Sequence, residues 1–356
     1  MAGLLLIGSA RQARTSSAVG SKSEPAGVHL DLARLLLVGL AIAWTYFAGA
    51  SPGSSAGPFT ALLLASASAL VVGRLAASVH RTIVPAAVVG GAALLAVTTP
   101  DVLSGMPLGG PLGYANANGA FFVQAAIAGL MLVAVVRTTP VRVVGLASVI
   151  AFGVVPFAAK SVTSGTLLLL LPAIALSLYS LGPRVAVAGC AALFIVVLAT
   201  TIVLGSTYKT GDRSGPVDRL VDATIDERRA ALWHEAFVMM SERPSVGVGL
   251  GGFQVLSPTA RSDRDARWAH NSFLQQGAET GLVGLILLML IFIWGFVGLS
   301  ATASDALGVL GAVSLAALGI HASVDYILHF PAVPITAAAL VGAAGTPWKM
   351  HGRDKS

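Results

Sequence analysis

Apolar residues come in long runs along the chain, separated by short polar stretches. Ten runs suit membrane-spanning helices: roughly 33–50, 58–79, 82–98, 118–136, 141–159, 165–181, 184–205, 279–299, 305–328 and 330–346. A spanning helix needs about 20 mostly apolar residues. Backbone facing lipid must satisfy its own hydrogen bonds, so each run is predicted helical. Runs 82–98 and 330–346 are the weakest. The pattern therefore predicts an all-α, polytopic membrane protein of about ten helices. One stretch, 206–270, breaks the rhythm by staying hydrophilic. The chain divides on this reading into a flexible tail (1–30), seven helices (31–205), a long loop (206–270), three helices (271–347) and a short tail (348–356).

Composition agrees. Of 356 residues, 55% are hydrophobic and 11% charged, with mean hydropathy +0.82. A soluble domain carries about 25% charged residues, so this chain could not cover a globule with polar surface. The net charge of +6 does not suggest nucleic acid, because the basic residues are spread through short loops and form no patch. The lone Cys190 lies in an apolar run. It excludes an internal disulfide and a cysteine metal site, and reads as a small packing residue.

Lysines and arginines give the orientation. With the N-terminus inside, the inner segments hold Arg11, Arg14, Lys22, Arg74, Arg81, Arg137, Arg142, Arg184, Lys349, Arg353 and Lys355. The short outer loops hold only Lys160. This asymmetry places the 206–270 loop outside the cytoplasmic membrane.

That loop carries nine basic and nine acidic residues, and its pattern argues for order. Thr224-Ile-Asp-Glu227 matches a capping box, and Pro244 would end the helix that follows. At helical spacing, Leu232, Trp233, Ala236, Phe237, Met239 and Met240 form one apolar arc, which predicts a short amphipathic helix lying on the membrane surface. Arg229 falls inside the arc and Arg228 at its edge. Arg229 either snorkels to headgroups or points at an anionic substrate; the helical geometry leaves both open.

Further motifs follow. Gly247-Val-Gly249-Leu-Gly251-Gly252 fits GxGxxG but lacks the βαβ frame of a dinucleotide site. A tight turn with close backbone approach is the expectation. Asp263-Arg-Asp265 is crowded by Arg261, Arg264 and Arg267 and reads as a solvated charge run. His270 stands where the loop meets an apolar span, and neutral imidazole can accept a proton from a hydroxyl near pH 7. His321, Asp325 and His329 recur every four residues, which puts them on one face of the ninth span. Ionisable groups in a membrane are functional by default, here as a proton relay, as support for a catalytic group or as a polar helix contact. Asn116-Ala-Asn118 lies at the outer mouth of the fourth span and Lys160 to Gly165 at the outer end of the fifth.

These residues together resemble the bacterial O-antigen ligase and polymerase superfamily, over about residues 115–330. Arg229-x-x-x-Trp233-x-x-Ala236, followed by Pro244-Ser-Val-Gly247-Val-Gly249-Leu-Gly251, is similar to the family's loop signature. His270-Asn271, with Gly281 and Gly284 beyond, resembles its histidine motif. Asn116-Ala-Asn118 resembles its Asn-Pro-Asn element without the proline. His321-x-x-x-Asp325 resembles its late His/Asp span. Thr163-Ser164-Gly165 stands where members often have Ser-Arg-Gly, so Lys160 would have to replace an arginine, without its bidentate fork.

The resemblance implies a C-type membrane glycosyltransferase fold and inverting transfer of a glycan from a polyprenyl-diphosphate donor to an acceptor hydroxyl of a glycan, lipid or protein. No cofactor is expected, and no metal, because the loop offers no His/Asp/Glu cluster with ligand spacing and Asp263 and Asp265 are crowded by arginines. Arg229, with Arg228 and Lys160, would hold the diphosphate. His270 would serve the acceptor hydroxyl, and Asp325, His321, Glu279 and Asn118 would support them. The competing classes are a polysaccharide polymerase or protein O-oligosaccharyltransferase of the same superfamily, a proton-coupled transporter and a passive membrane scaffold.

Overall fold

A computed structural model describes residues 25–48, 56–103, 106, 108–208, 226–262 and 266–345. Every one of the ten apolar runs is a helix: α1 Pro25–Ala48, α2 Gly57–Val79, α3 Ile83–Thr98, α4 Ala115–Val135, α5 Thr139–Ala158, α6 Val162–Tyr179, α7 Pro183–Thr207, α11 Ser272–Thr302, α12 Ala306–Val324 and α13 Ala332–Ala344. The hydrophilic stretch contributes α8 Glu227–Glu242, α9 Gly252–Leu256 and α10 Pro258–Ser262, and two 3₁₀ turns lie at Pro100–Leu103 and Ile327–His329. The described residues contain no strand.

The chain is a polytopic, all-helical membrane protein. Seven helices (α2, α4, α5, α6, α7, α11 and α12) are long and apolar enough to cross a membrane. α3 and α13 are shorter apolar helices, as is the Leu36–Ala48 part of α1. The bundle has an inside and a rim. The central windows of α12 and α4 are 89% and 78% buried, whereas those of the other five are 22–39% buried. α12 and α4 thus form the axis, joined at mid-depth by a reciprocal pair: Gln124 Nε2 donates to the Ser314 carbonyl (3.1 Å) and Ser314 Oγ to Gln124 Oε1 (2.5 Å). The rim helices turn leucine, valine and isoleucine outward, including Leu64, Ile150, Leu169 and Val196. Hydrocarbon is the solvent that suits such a surface.

Contacts between helix ends show how the chain threads. Residues at the starts of α4, α6 and α11 meet residues at the ends of α7 and α12. At the opposite end Arg81, between α2 and α3, bonds Asp305, between α11 and α12 (2.6 Å). Successive spans therefore run in opposite directions.

Four expectations need correction. Helix α1 begins at Pro25, inside the stretch read as a flexible tail; residues 1–24 lie outside the described ones. Helix α8 is capped by Asp226, whose side chain accepts from the Arg228 N–H. Glu227, expected at the third helical position of a capping box, is instead the first residue of the helix, and Thr224 lies outside the described residues. The apolar arc of α8 does not lie on lipid: Leu232, Trp233, Ala236, Met239 and Met240 are buried, and α8 packs on α7 and α11. Gly205 of α7 permits this approach, since a Cβ there would stand 3.1 Å from the Trp233 carbonyl oxygen. Fully burying side chains such as Leu232 contributes roughly 1.5–3 kcal/mol each.

The fourth correction concerns the eighth span, expected at 279–299. α11 starts at Ser272 and is broken at Gly281 (φ 71°, ψ −176°) into a short, fully buried half and a long spanning half. Such a break strands backbone polar groups that lipid could not satisfy, and four of them are taken up by other segments. The carbonyls of Ala278 and Glu279 accept from Val248 N and Gly249 N (2.8 and 3.0 Å), and Leu282 N donates to the Pro244 carbonyl (2.8 Å). Trp44 Nε1 of α1 donates to the Thr280 carbonyl (2.9 Å). The glycine-rich segment is thus a tight turn laid against the break, with positive φ at Gly247, Gly249 and Gly251. A Cβ on Gly247 would come within 2.5 Å of the Ala278 oxygen.

Candidate active site

Asp325 is the hub at one end of the bundle. It is 1% exposed and follows directly on α12, in extended backbone. Its Oδ1 accepts from His270 Nδ1 (3.1 Å) and from the Tyr326 N–H (2.8 Å). Its Oδ2 accepts from Tyr114 Oη (2.8 Å) and Asn116 Nδ2 (2.5 Å). Arg229 Nη2 stands 3.9 Å from Oδ2, and Nη1 makes a long bond, 3.4 Å, to the Val324 carbonyl. Burial alone would raise the Asp325 carboxyl. The hydrogen bond from His270 and the charges around it outweigh that and hold it below the usual carboxylate range. Burial first, then the Asp325 charge, pushes the Tyr114 phenol up, so that hydroxyl stays a donor.

The Asp325 carboxylate fixes the tautomer of His270. Facing an ionised acceptor, Nδ1 must carry the proton, which leaves Nε2 with a free lone pair in the neutral ring. Nothing among the described residues bonds Nε2. The ring is held from several sides. His270 adopts φ 49°, a left-handed conformation unusual for a residue with a Cβ. Trp233 Nε1 donates to its carbonyl (3.0 Å), Ala269 N donates to Gln275 Oε1 (3.1 Å), and Tyr326 packs edge-on with ring centroids 4.9 Å apart. Asn271 caps α11, accepting from Phe273 N and Leu274 N, and ties it to α7 through Thr201. Ser272 Oγ and N both donate to the Asp325 carbonyl oxygen (3.0 and 3.2 Å).

The Arg229-x-x-x-Trp233 spacing now has a physical reason. Residues four apart share a helix face. Here one of them reaches Asp325 and the other reaches the backbone of the histidine that Asp325 holds.

The structure brings His270, Arg229 and Asp325 together and separates the other predicted residues. Arg228 is half exposed and 3.7 Å from Asp226 of its own helix. Lys160 is exposed in the turn before α6 and bonds none of the three. Glu279 is buried on the far side of the short half-helix, where Gly251 N, Phe253 N and Gln275 Nε2 donate to it; it holds the glycine turn and not His270. Asn118 is not the asparagine of the site. Its side chain bonds the Gly109 carbonyl (2.7 Å) and the Leu112 N–H (2.9 Å), shaping the loop before α4, while Asn116 reaches Asp325.

His321 lies a turn below, its Nδ1 3.4 Å from Ser164 Oγ and its Nε2 buried with no partner among the described residues. The expected shared face of His321, Asp325 and His329 does not exist, because α12 ends at Val324. His329 sits in the 3₁₀ turn against Trp268, centroids 4.1 Å apart. Asp263, Arg264 and Asp265 lie outside the described residues. Tyr114 and Tyr326 are the members that sequence reasoning missed. Both sit in irregular backbone beside helix ends, where periodicity carries no signal.

Fold and site together define a membrane-embedded helical protein with a histidine–aspartate pair and an arginine gathered at one end of the bundle. Residues 146–289 match the family model described as O-antigen ligase. The match supports membership of the O-antigen ligase superfamily, a family of glycosyltransferase-like ligases and polymerases. The matched stretch includes Arg229, Trp233, the glycine turn and His270 and stops before Asp325. No curated protein matches the chain at the threshold applied.

Proposed function

We propose that this protein transfers a glycan from a polyprenyl-diphosphate donor to an acceptor hydroxyl, on the outer face of the cytoplasmic membrane, with inversion and without a metal. The observation that carries this reading is the contact between His270 Nδ1 and Asp325 (3.1 Å) with Arg229 beside it. His270 Nε2 takes the proton of the acceptor hydroxyl, and the acceptor oxygen attacks the anomeric carbon. The bond from that carbon to the diphosphate oxygen breaks, and the electron pair leaves with the diphosphate. The proton on Nε2 passes to solvent.

A diphosphate is an acidic leaving group and needs positive charge more than a proton. Arg229 can supply it. At 3.9 Å its contact with Asp325 is longer than a hydrogen bond, so its forked donors remain available for phosphate oxygens. Donors of this kind suit a site outside the cell, where the energy for transfer resides in the lipid-linked glycan itself.

The test is transfer by the purified chain in lipid. His270→Ala should lower the rate on the order of 10²–10⁴-fold, the usual cost of losing a general base, and Arg229→Ala on the order of 10²-fold. Both variants should reach the membrane at normal levels. Near-normal transfer by both would overturn the assignment. Sidedness has its own check: a cysteine at Ser262, in a Cys190→Ala background, should react with an impermeant thiol reagent added outside intact cells. Protection of that cysteine until the cells are opened would place the site on the other face.

A further inference from the structure

A cluster of aromatic rings adjoins the histidine–aspartate pair. Its inner part is Tyr114, Tyr326 and Phe330. Tyr326 stacks on Tyr114 with ring centroids 4.8 Å apart, and Tyr114 on Phe330 at 5.4 Å; both tyrosines are buried. Its outer part is Trp268 and His329, whose rings lie 4.1 Å apart. The indole also stacks on Tyr326 at 6.0 Å and 23°. Trp268 is half-buried and His329 exposed, so the cluster opens outward through these two.

Packing accounts for the inner rings but not for the outer pair. Trp44 and Trp233 each engage their indole N–H inside the protein, on the carbonyls of Thr280 and His270. Trp268 Nε1 has no partner among the described residues. An indole with a free N–H suits a place where one end is apolar and the other wet. His329 Nδ1 donates to the Tyr326 carbonyl (3.1 Å), which makes Nε2 an acceptor in the neutral ring. It too has no partner among the described residues. The outer pair thus presents an aromatic face, a donor and an acceptor side by side.

A pyranose ring needs that combination. One of its faces carries axial C–H groups and lies favourably on the negative face of an aromatic quadrupole. The hydroxyls at its edge call for donors and acceptors together. A hydrocarbon chain would leave the N–H and the Nε2 unpaired.

Position says which sugar. Tyr326 is the shared ring: it lies against Trp268 and meets His270 edge-on at 4.9 Å. Arg229 approaches Asp325 at Oδ2, whereas His270 and the Tyr326 N–H hold Oδ1. The outer rings are therefore built onto the base and not onto the cation that would face the diphosphate. The hydroxyl that gives up its proton must come within hydrogen-bond reach of the base. We propose that Trp268 and His329 form a platform for a pyranose ring of the acceptor, so that the acceptor presents a sugar and not a protein side chain. This rests on the reading above that His270 serves the acceptor hydroxyl.

The experiment is saturation-transfer NMR on the full chain in lipid nanodiscs. The probes are methyl β-glucopyranoside, methyl β-galactopyranoside and methyl α-mannopyranoside, with sorbitol as the acyclic control. Saturation should reach at least one pyranoside, concentrated on the C–H groups of one ring face, and should pass sorbitol by. Trp268→Leu fills the space without a π face and should weaken binding of that pyranoside about tenfold. Trp268→Phe should keep most of it. A response unchanged in Trp268→Leu, equal with sorbitol or absent from all three pyranosides would overturn the assignment. In the transfer assay Trp268→Leu should raise KM for the acceptor about tenfold and leave KM for the donor unchanged. A rise confined to the donor would put the donor's glycan on the platform and overturn the assignment as well. The NMR response needs no turnover and should persist in His270→Ala. A pyranoside response from a wild-type chain that transfers nothing would keep the platform as a saccharide site and remove the proposed activity. Normal transfer with an acceptor KM indifferent to Trp268→Leu would do the reverse.

Discussion

Helix α12 carries an aspartate at each end, and each aspartate faces an arginine from elsewhere in the chain. Asp305 precedes its first turn and accepts from the N–H groups of Leu307 and Gly308. Arg81 meets it at 2.6 Å, and both side chains are more than a third exposed. Negative charge belongs at this end of a helix dipole. Asp325 follows the last turn, where the dipole opposes it, and it is buried. It gathers Tyr114, Asn116, His270 and the Tyr326 N–H, yet its arginine stands off at 3.9 Å. The tight pair is the exposed one, and contributes at most about 1 kcal/mol. The loose pair is where a charge has been placed against local cost and its arginine left with donors to spare. Across these two ends, contact distance is a guide to architecture, and unfavourable placement is a guide to chemistry.

Substituting the two aspartates should separate them most widely. Asp325→Asn keeps the shape but removes the negative charge and turns one of the two acceptor oxygens into a donor, so Nδ1–H of His270 is no longer fixed. Transfer should fall on the order of 10²-fold or more. Asp305→Asn should leave transfer unchanged and cost no more than about 1 kcal/mol in thermal or denaturant unfolding. Equal effects of the two would erase the distinction.

The arginines sharpen it. Arg229→Lys should recover little of the loss seen in Arg229→Ala, because a point charge cannot fork onto a diphosphate. Arg81→Lys should be close to neutral in rate and in stability. Full activity in Arg229→Lys would mean that the arginine acts as an anchor to headgroups.

The asparagines give the smallest contrast. Asn116→Ala removes one of four hydrogen bonds to the Asp325 carboxylate and should slow transfer about tenfold, with binding of the donor little changed. Asn118→Ala loosens the loop at Gly109–Leu112 and should show first as a loss of about 1 kcal/mol in stability. A greater loss of rate in Asn118→Ala than in Asn116→Ala would reverse their assigned roles.

That last pair also shows where sequence reading stops. Residues two apart on a helix point about 200° away from each other, so Asn116 and Asn118 cannot both face one site. Spacing cannot say which of them does; the neighbouring loop decides. Hydropathy located all ten helices because lipid imposes the same demand on each of them. It misread α8 because an apolar arc looks the same whether lipid or protein covers it. His270 and Arg229 were legible through their motifs and Asp325 through its rarity in an apolar run. The break at Gly281 was not, since its cause is distant: Pro244, Val248, Gly249 and Trp44 take up the groups it frees.

The same break acts as a mechanical joint. A spanning helix answers to membrane thickness by tilting, and in an unbroken α11 that tilt would travel along the hydrogen-bond ladder to Ser272 and the ring of His270. Here the ladder is interrupted at Gly281, and the short half-helix is pinned by the glycine turn on one side and Asn271 on the other. Rocking of the long half reaches the histidine only through the glycine turn, which bonds Leu282 on one side of the break and Ala278 and Glu279 on the other. The alignment of His270 on Asp325 is thereby referenced to the short half-helix and the turn that holds it, more than to the fluid around the stem.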